Sequence, residues 1–516
     1  MPSWKTGRKP ANPSSNYAIL CCMAEALKAG RQTLVLLPEI VLTAQLMARF
    51  ETRFGMKPVS WHSGLTPAKR REHYKAITDG RAQLIVGARS ALFLPYHDLA
   101  IVVVDEEHES SYKQEDGVVY QGRDMAVARG FVEKLPVVLA SATPSLQTRL
   151  NAQSGKYTYV QLPKRHGAAQ LPEVQMVDRR EHYTNAQEWV SEPLRQAMTQ
   201  ALAQKEQVLL YLNRRGYAPL TLCLTCGHRF TCPHCTAWLV EHKYASNSKL
   251  QCHHCGFSSA LPKNCPECEA EESLVPCGPG VERLEEEVKD LFPDANIALM
   301  TSDNVTSGEK LEETIGAIEK GEVDIIIGTQ LVAKGHHFPN LTLVGIIDAD
   351  LGLAGSDVRA GEKTYQLLSQ VAGRAGREEK PGKVLVQSFQ PDSPLFEALQ
   401  AHDAACFSER DAELRAQGNL PPFGRLASLI FTGSREGQVR DVARAMVLNA
   451  PNAKGVSVLG PAPAPLARLR GKYRYRVLIK TPKQFAIQEY IKAWKTRATP
   501  PSAVQMKVDV DPYHFD

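Results

Sequence analysis

Long apolar runs are missing from this chain; nowhere does it approach the roughly 18 uninterrupted apolar residues that a membrane-spanning helix needs. An apolar core behind a basic start is missing as well. The first residues are polar and broken by Pro2, Pro10 and Pro13, so no signal peptide is expected, no membrane association, and a cytoplasmic location. Strong charge of either sign is lacking: a net charge of +5 permits a nucleic-acid partner without arguing for one. What remains is an ordinary globular composition, 43% hydrophobic and 23% charged, over 516 residues, long enough for three or more domains.

Cysteine is present in a pattern. Of the 12 cysteines, Cys223, Cys226, Cys232, Cys235, Cys252, Cys255, Cys265 and Cys268 form four C-x-x-C units separated by 5, 16 and 9 residues. Each unit offers two thiolates to a tetrahedral Zn²⁺, so eight ligands fit two Cys₄ sites. Gly227, Gly256, Pro233 and Pro266 supply the tight turns. Closed Cys₄ sites are structural, and no catalysis is assigned to them. The spacing alone does not fix which units pair. Cys21, Cys22, Cys277 and Cys406 have no such partner unit, and His228, His234, His253 and His254 are spare donors.

The rest of the chain alternates short apolar strands with helical stretches, the pattern of parallel sheets covered by helices on both faces. Helical periodicity over residues 19–27 precedes a strand over 33–37, and further strands are expected at 84–86, 101–104 and 136–139. Ligands in such sheets bind at the carboxyl ends of the strands, where Asp105, Glu106, His108, Ser141 and Thr143 fall. An Asp there can hold a nucleotide-bound Mg²⁺ and a neighbouring Glu can orient the attacking water. The loop that follows, through Asp124, is too long and glycine-bearing for a simple connection. Its Tyr112 and Tyr120, beside Lys113 and Arg123, are placed to stack bases and meet phosphates; equally, the tyrosines pack the loop down.

Residues 161–204 carry no motif and read as the segment between two lobes. The α/β pattern resumes with a strand at 208–212, is interrupted by the cysteines, and continues from Gly278. A strand ending at Gly328 leads through Lys334-Gly335-His336-His337 to a second strand ending in Asp348-Ala349-Asp350. A helix carrying Gln370, Arg374 and Arg377 follows, with Gly373 and Gly376 keeping its backbone slim. Glycine costs a helix about 1 kcal/mol against alanine, so a purely structural helix would not choose them. A planar guanidinium that forks onto phosphate oxygens suits a transferring phosphoryl group. Beyond residue 400 a helical region gives way to strands. In the strand Leu469 to Lys480, side-chain alternation puts Lys472, Arg474, Arg476 and Lys480 on one face and Tyr473, Tyr475, Val477 and Ile479 on the other. That basic stripe fits phosphate contacts, or else an edge strand guarded by charge.

From about Gly30 onward the chain resembles the primosomal replication-restart DNA helicases of superfamily 2. The resemblance rests on an ordered series: PEIVLTAQ, HSGL, VGARSALFLP, DEEHESSYKQEDG, SATPS, LNRRGYAP, the eight cysteines, GTQLVAKGHHFPN and QVAGRAGR. It implies two RecA-like α/β lobes with parallel sheets, a two-zinc cysteine-rich insertion in the second lobe, and an α+β C-terminal domain. The expected boundaries are 1–16 for an irregular start, 17–160 for lobe 1, 161–204 between lobes, 205–222 and 279–400 for lobe 2, 223–278 for the zinc insertion, and 401–516 for a C-terminal domain binding DNA or partners. The resemblance nests the zinc sites, pairing Cys223/Cys226 with Cys265/Cys268 and Cys232/Cys235 with Cys252/Cys255. It gives Asp105 to Mg²⁺ and Glu106 to the water. His108 and Gln114 become relays between ATP and DNA, and Tyr112, Lys113 and Tyr120 belong to the DNA-coupling loop. Gln370, Arg374 and Arg377 close over the γ-phosphate. The implied activity is ATP-dependent 3′→5′ unwinding of forked, single- and double-stranded DNA. The implied partners are primosome proteins, the replicative helicase loader and single-stranded DNA-binding protein.

Two departures stand out. No G-x-x-x-x-G-K-[ST] occurs, and the place ahead of the first helix is held by Trp4-Lys5-Thr6-Gly7-Arg8-Lys9-Pro10, which lacks the glycine-rich turn that cradles phosphates. The family's N-terminal DNA-binding domains are not in the chain either; a shortened or shifted start accounts for both. His337 stands where the family often has Asp. Two functions follow: an ATP-dependent helicase, or a zinc-bearing scaffold that binds DNA and primosome partners without hydrolysing ATP.

Overall fold

The structure is a computed structural model that describes residues 15–38, 44–162, 171–182, 188–212, 221–223, 225–233, 239–243, 248–252, 256–271, 273–276, 281–301, 304, 308–333, 338–353, 357–376 and 382–513. Two compact units are present, Met1–Gln170 and Leu171–Asp516.

In the first unit the helix α1 (Ser15–Lys28) leads to β1 (Gln32–Leu36), α2 (Ala44–Phe54), β2 (Val59–Trp61), α3 (Pro67–Thr78), β3 (Leu84–Gly87) and β4 (Leu99–Val104). A short hairpin of β5 (Lys113–Gln114) and β6 (Tyr120–Gln121) precedes α4 (Gly122–Glu133), β7 (Val137–Leu139) and α5 (Leu146–Gln153). The parallel sheet runs β2-β3-β1-β4-β7. Alternation along its strands builds two apolar layers. Leu34, Leu36, Val102 and Val104 pack with Ile77 and Ala126 on one face, and Val35, Val86, Ile101 and Val103 with Met23, Leu27, Phe50 and Phe54 on the other. Helices therefore cover both faces, which is why the strands read as continuous apolar runs.

The second unit begins with β8 (Glu173–Asp178), α6 (Glu192–Ala203) and β9 (Gln207–Tyr211). The cysteine module follows, with β10 (Thr221–Cys223), β11 (Val240–Lys243), β12 (Ser248–Gln251), β13 (Ser258–Ala260) and β14 (Leu274–Pro276). The lobe resumes with α7 (Val281–Leu291), β15 (Ile297–Met300), α8 (Gly308–Glu319), β16 (Ile325–Gly328), β17 (Leu341–Ile346), α9 (Ala360–Ala372) and β18 (Lys383–Ser388). Its parallel sheet runs β15-β16-β9-β17-β18-β8. Here the structure departs from expectation. β8 pairs with β18 along its whole length, and α6 buries Leu194, Met198 and Ala201 in the sheet's core. Much of the 161–204 stretch expected between lobes thus belongs to the second lobe. β8 is an edge strand that buries only Val174 and Val177, so it lacks the apolar run that announces its neighbours.

α10 (Pro394–Gln400) and α11 (Ala404–Gln417) pack back on that lobe: Phe407 stacks on Tyr365 of α9 at 4.4 Å, and the buried Arg415 donates to Glu362 at 2.8 Å. The last sheet comprises β19 (Gly424–Gly433), β20 (Ser457–Leu469), β21 (Lys472–Pro482) and β22 (Gln505–Val510), antiparallel in the order β20-β21-β19-β22, with α12 (Glu436–Leu448) and α13 (Ile487–Arg497) covering one face. A C-terminal domain starting at 401 therefore gains a later start, since α11 is fastened to α9. The basic stripe needs correcting too. β21 is an interior strand, not a guarded edge, and Arg476 is only 2% exposed. Tyr475, Val477 and Ile479 face the helices as alternation demands, while Leu478 on the opposite face packs with Leu426, Val358 and Leu459. The face expected to be cationic is covered at its middle.

Candidate nucleotide and zinc sites

β4 is apolar to Val104 and ends at the carboxyl edge of its sheet, so the next residues emerge where such sheets bind ligands. Glu106 takes φ +47°, a left-handed conformation that a non-glycine residue adopts at some cost. The turn sends adjacent carboxylates in different directions. Asp105 and Glu106 stay half-buried at the edge, whereas Glu107 turns inward. Burial pushes the Asp105 carboxyl above its ordinary pKa, opposed by the Glu106 N–H that donates to it at 3.1 Å. His108 Nδ1 lies 2.7 Å from Ser141 Oγ and 3.6 Å from Glu106 Oε2, and Ser141 Oγ accepts the Thr143 N–H at 2.9 Å. The strand end at 105–108 and the Ser141-Ala142-Thr143 turn are thereby one hydrogen-bonded constellation. Sequence placed Ser141 at a strand end but not against His108. Hard carboxylate oxygens at this edge fit a Mg²⁺ ion.

Glu107 points away from that edge and into the interior. It is 1% exposed and accepts from Arg123 Nη1 at 3.1 Å, Ser145 N–H at 2.6 Å and Thr148 Oγ1 at 2.9 Å. Arg123, expected to meet phosphates, is committed to that interior pair. Tyr112 is corrected likewise. It is 1% exposed, with its hydroxyl 2.7 Å from the Asp105 carbonyl and 2.9 Å from that of Leu36, so it packs the loop down and offers no stacking face. Lys113 is buried beside it, and its carbonyl, with that of Ser111, accepts from Arg89 Nη1 at 2.8 and 2.6 Å. Tyr120, half-buried, sets its ring edge-to-face with Phe93 at 5.1 Å. Gln114 donates to the Asp116 carbonyl at 3.0 Å across the hairpin tip.

In the second unit Gln370 lies in the last turn of α9, but the helix stops at Ala372 with Gly373 as its cap. Arg374 therefore lies past the helix, not on its face as expected. Its Nε donates to the Ala333 carbonyl at 3.1 Å, and Nη2 donates to the same oxygen. Gly376 sits at φ +65°, and a Cβ on Gly382 would come within 2.4 Å of the Ala375 carbonyl carbon. These glycines end a helix and let two backbones touch; they do not slim it. Arg377, Lys334, Gly335, His336 and His337 lie outside the described residues, as do Lys5 and Thr6.

Beyond β17, Asp348 and Asp350 are both buried. Burial, then the neighbouring Asp350 charge, pushes the Asp348 carboxyl up to about 6, against the pull of Arg229 and Arg179. A raised acid is penalised in the fold once the unfolded chain ionises. The penalty is absent below about pH 4, grows to about pH 6 and is full above it. Asp348→Asn keeps an acceptor for the Asp350 and Leu351 N–H groups that Oδ1 takes at 3.1 and 3.2 Å. It should stabilise the second unit by on the order of 2–3 kcal/mol at pH 7.5 and about half that at pH 5. Urea unfolding at the two values checks this; an equal difference at both would refute it.

The cysteine module closes through its ends, β10 pairing antiparallel with β14. Cys223, Cys226, Cys265 and Cys268 bring all four sulfurs within 4.8 Å of one another. Cys223 Sγ lies 3.6 Å from Cys268 Sγ and Cys226 Sγ 3.7 Å from Cys265 Sγ. A tetrahedral Zn²⁺ with bonds of about 2.3 Å holds sulfurs about 3.8 Å apart, so the residues fit the ion and the outer pairing matches the nested arrangement. Three of the C-x-x-C turns repeat one backbone device. Cys223 N–H donates to His228 O and Gly227 N–H to Cys223 O; Cys265 pairs the same way with Ala270 and Glu269. The Cys252 turn repeats it with Phe257 and Gly256, and Cys232 and Cys252 are buried together with Leu239 and Leu250. Cys235 and Cys255 lie outside the described residues.

Comparison with known families follows this layout. Residues 15–151 match the DEAD/DEAH box helicase family and 269–379 the helicase conserved C-terminal domain. Residues 232–259 match the PriA DNA helicase Cys-rich region domain, and 416–513 the primosomal protein N C-terminal domain. Two parallel-sheet lobes with a zinc module set into the second make this an ATP-dependent DNA helicase by class, with Zn²⁺ and ATP–Mg²⁺ as its cofactors. The replication restart protein PriA of Rickettsia felis is 46% identical over 96% of this chain and 76% of that protein. Those of Haemophilus influenzae and Bacillus subtilis are 38% and 37% identical, each over 95% of this chain and over 67% and 61% of their own lengths. The chain belongs to the replication restart protein PriA family.

Proposed function

We propose that this chain hydrolyses ATP to move 3′→5′ on DNA, remodels stalled forks and initiates primosome assembly in the cytoplasm. Among the described residues no helix is long and apolar enough to cross a membrane. The constellation of Asp105, Glu106, His108 and Ser141 carries the reading: two carboxylates at a sheet's carboxyl edge, one of them near a histidine that is hydrogen-bonded to the next strand's turn. Asp105 holds the nucleotide's Mg²⁺, which neutralises phosphate charge when bound. Glu106 orients the attacking water, and His108 and Gln114 relay between nucleotide and DNA. Gln370, Arg374 and Arg377 act on the γ-phosphate. In the DNA-coupling loop Tyr120 is the aromatic nearest the surface, with Tyr112 and Lys113 supporting it from within. Cys232/Cys235 and Cys252/Cys255 hold the second Zn²⁺. Primosome proteins, the replicative helicase loader and single-stranded DNA-binding protein are the proposed partners.

A second reading, a DNA- and primosome-binding scaffold without turnover, is favoured by one observation: the sequence contains no G-x-x-x-x-G-K-[ST]. DNA-stimulated ATP hydrolysis by the chain and by Glu106→Gln separates the two. The helicase reading expects turnover that the substitution lowers by about 100-fold or more. Both proteins at background would leave only the scaffold.

A further inference from the structure

A buried charge pair joins the zinc module to the sheet of the second lobe. Arg229 follows the Cys223–Cys226 turn and is 8% exposed; Asp350 follows β17 and is 0% exposed. Arg229 Nη2 lies 2.8 Å from Asp350 Oδ2, and Nη1 donates to the Asp350 carbonyl at 3.3 Å. The carboxylate is fixed before the arginine reaches it, because it also accepts Ser388 Oγ–H and Phe389 N–H, each at 2.7 Å, from the end of β18. Gly227 of the same cysteine turn, at φ +72°, presses on that strand end so closely that a Cβ would stand 2.9 Å from the Phe389 carbonyl oxygen.

We propose that Arg229 is a positioning residue which locks the Cys223/Cys226 turn onto the second lobe, so that metal retention at the outer zinc site and the lobe's own packing support each other. Folding of the turn around the metal presents the guanidinium to a carboxylate already held by β18. Release of the metal loosens the turn and leaves that carboxylate buried without its cation. Coupling of this kind is reciprocal: whatever the lobe gains from the seated arginine, the metal site gains in retention. Residues that orient metal ligands from outside the coordination sphere change metal affinity by about 10–100-fold. The inference stands whether or not the chain turns over ATP.

The test follows zinc release from the full, zinc-loaded chain into excess chromogenic chelator. Arg229→Met and Asp350→Asn should each speed one of the two release phases by about tenfold or more and leave the other within twofold. The double variant should be no faster than the faster single one, because the pair acts as a unit. Unchanged single-variant rates, equal acceleration of both phases, or additive effects in the double variant would each overturn the proposal. Should R229M not fold, R229K, which keeps the charge without the fork, is measured in its place. It must then release at least threefold faster than wild type, and equality overturns the proposal.

Discussion

Arg123→Met should lower the stability of the first unit by about 3–5 kcal/mol, the usual consequence of removing one partner from a buried ion pair. Arg123 and Glu107 are 2% and 1% exposed, and the arginine also donates to Ser145 Oγ at 2.7 Å and Gln147 Oε1 at 3.1 Å. Without the guanidinium, the Glu107 carboxylate keeps only neutral donors in a place water does not reach. A domain's whole stability is about 5–15 kcal/mol, so the substitution removes a large share of it. Glu107 and Arg123 tie the strand end carrying Asp105 and Glu106 to α4 and to the start of α5, and the nucleotide edge should loosen with them. Urea unfolding should show an earlier first transition, and Glu107→Gln with Arg123→Met should recover much of the loss. A shift below about 1 kcal/mol in the single variant would place Arg123 outside the core pair.

Cys226→Ser should halve the metal content. Two Cys₄ sites hold about two Zn²⁺ per chain, and loss of one of four thiolates from the outer site should leave about one. Cys232→Ser should leave the other. Structural zinc contributes about 10–16 kcal/mol of binding free energy that small modules spend on folding. Among the described residues of the cysteine module, the buried apolar cluster is small: Leu239 and Leu250 with two buried cysteines, helped by Phe230, Phe257 and Leu261. Such a core does not hold without metal. Metal analysis with limited proteolysis checks both points: about one Zn²⁺ in each variant, with new cleavage inside residues 223–278. A metal content near zero in the wild type would refute the site altogether.

Much of this architecture was legible because buried parallel strands and cysteine spacing are local signals. β1, β3, β4, β9 and β18 are nearly continuous apolar runs, since helices or loops cover both faces of their sheets. What the sequence hid was set by neighbours distant in the chain. β8 exposes Glu173 and half-buries Met176, so its membership in the sheet depends on β18 alone. Tyr112 looked like a stacking surface because a tyrosine in a long loop has no periodicity; two backbone carbonyls, one of them 76 residues away, take it inside. Arg229 carried no signal, being one basic residue between two C-x-x-C units. Asp105 and Glu106 were legible at a strand end, but the left-handed turn at Glu106, which sends Glu107 inward, was not.

The pairing of Thr221 with Pro276 has a consequence for how the chain assembles. The module interrupts a parallel sheet, with β9 before it and β15, β16 and β17 after it, and a flexible excursion of that length would add to the entropy of bringing those strands together. A metal-stapled excursion whose two ends are zipped by a short antiparallel ladder enters and leaves at nearly one point. To the sheet it then behaves like a brief hairpin. Metal loading should therefore precede closure of the lobe during synthesis, and refolding from denaturant should slow when zinc is withheld, with the delay falling on the second unit and sparing the first.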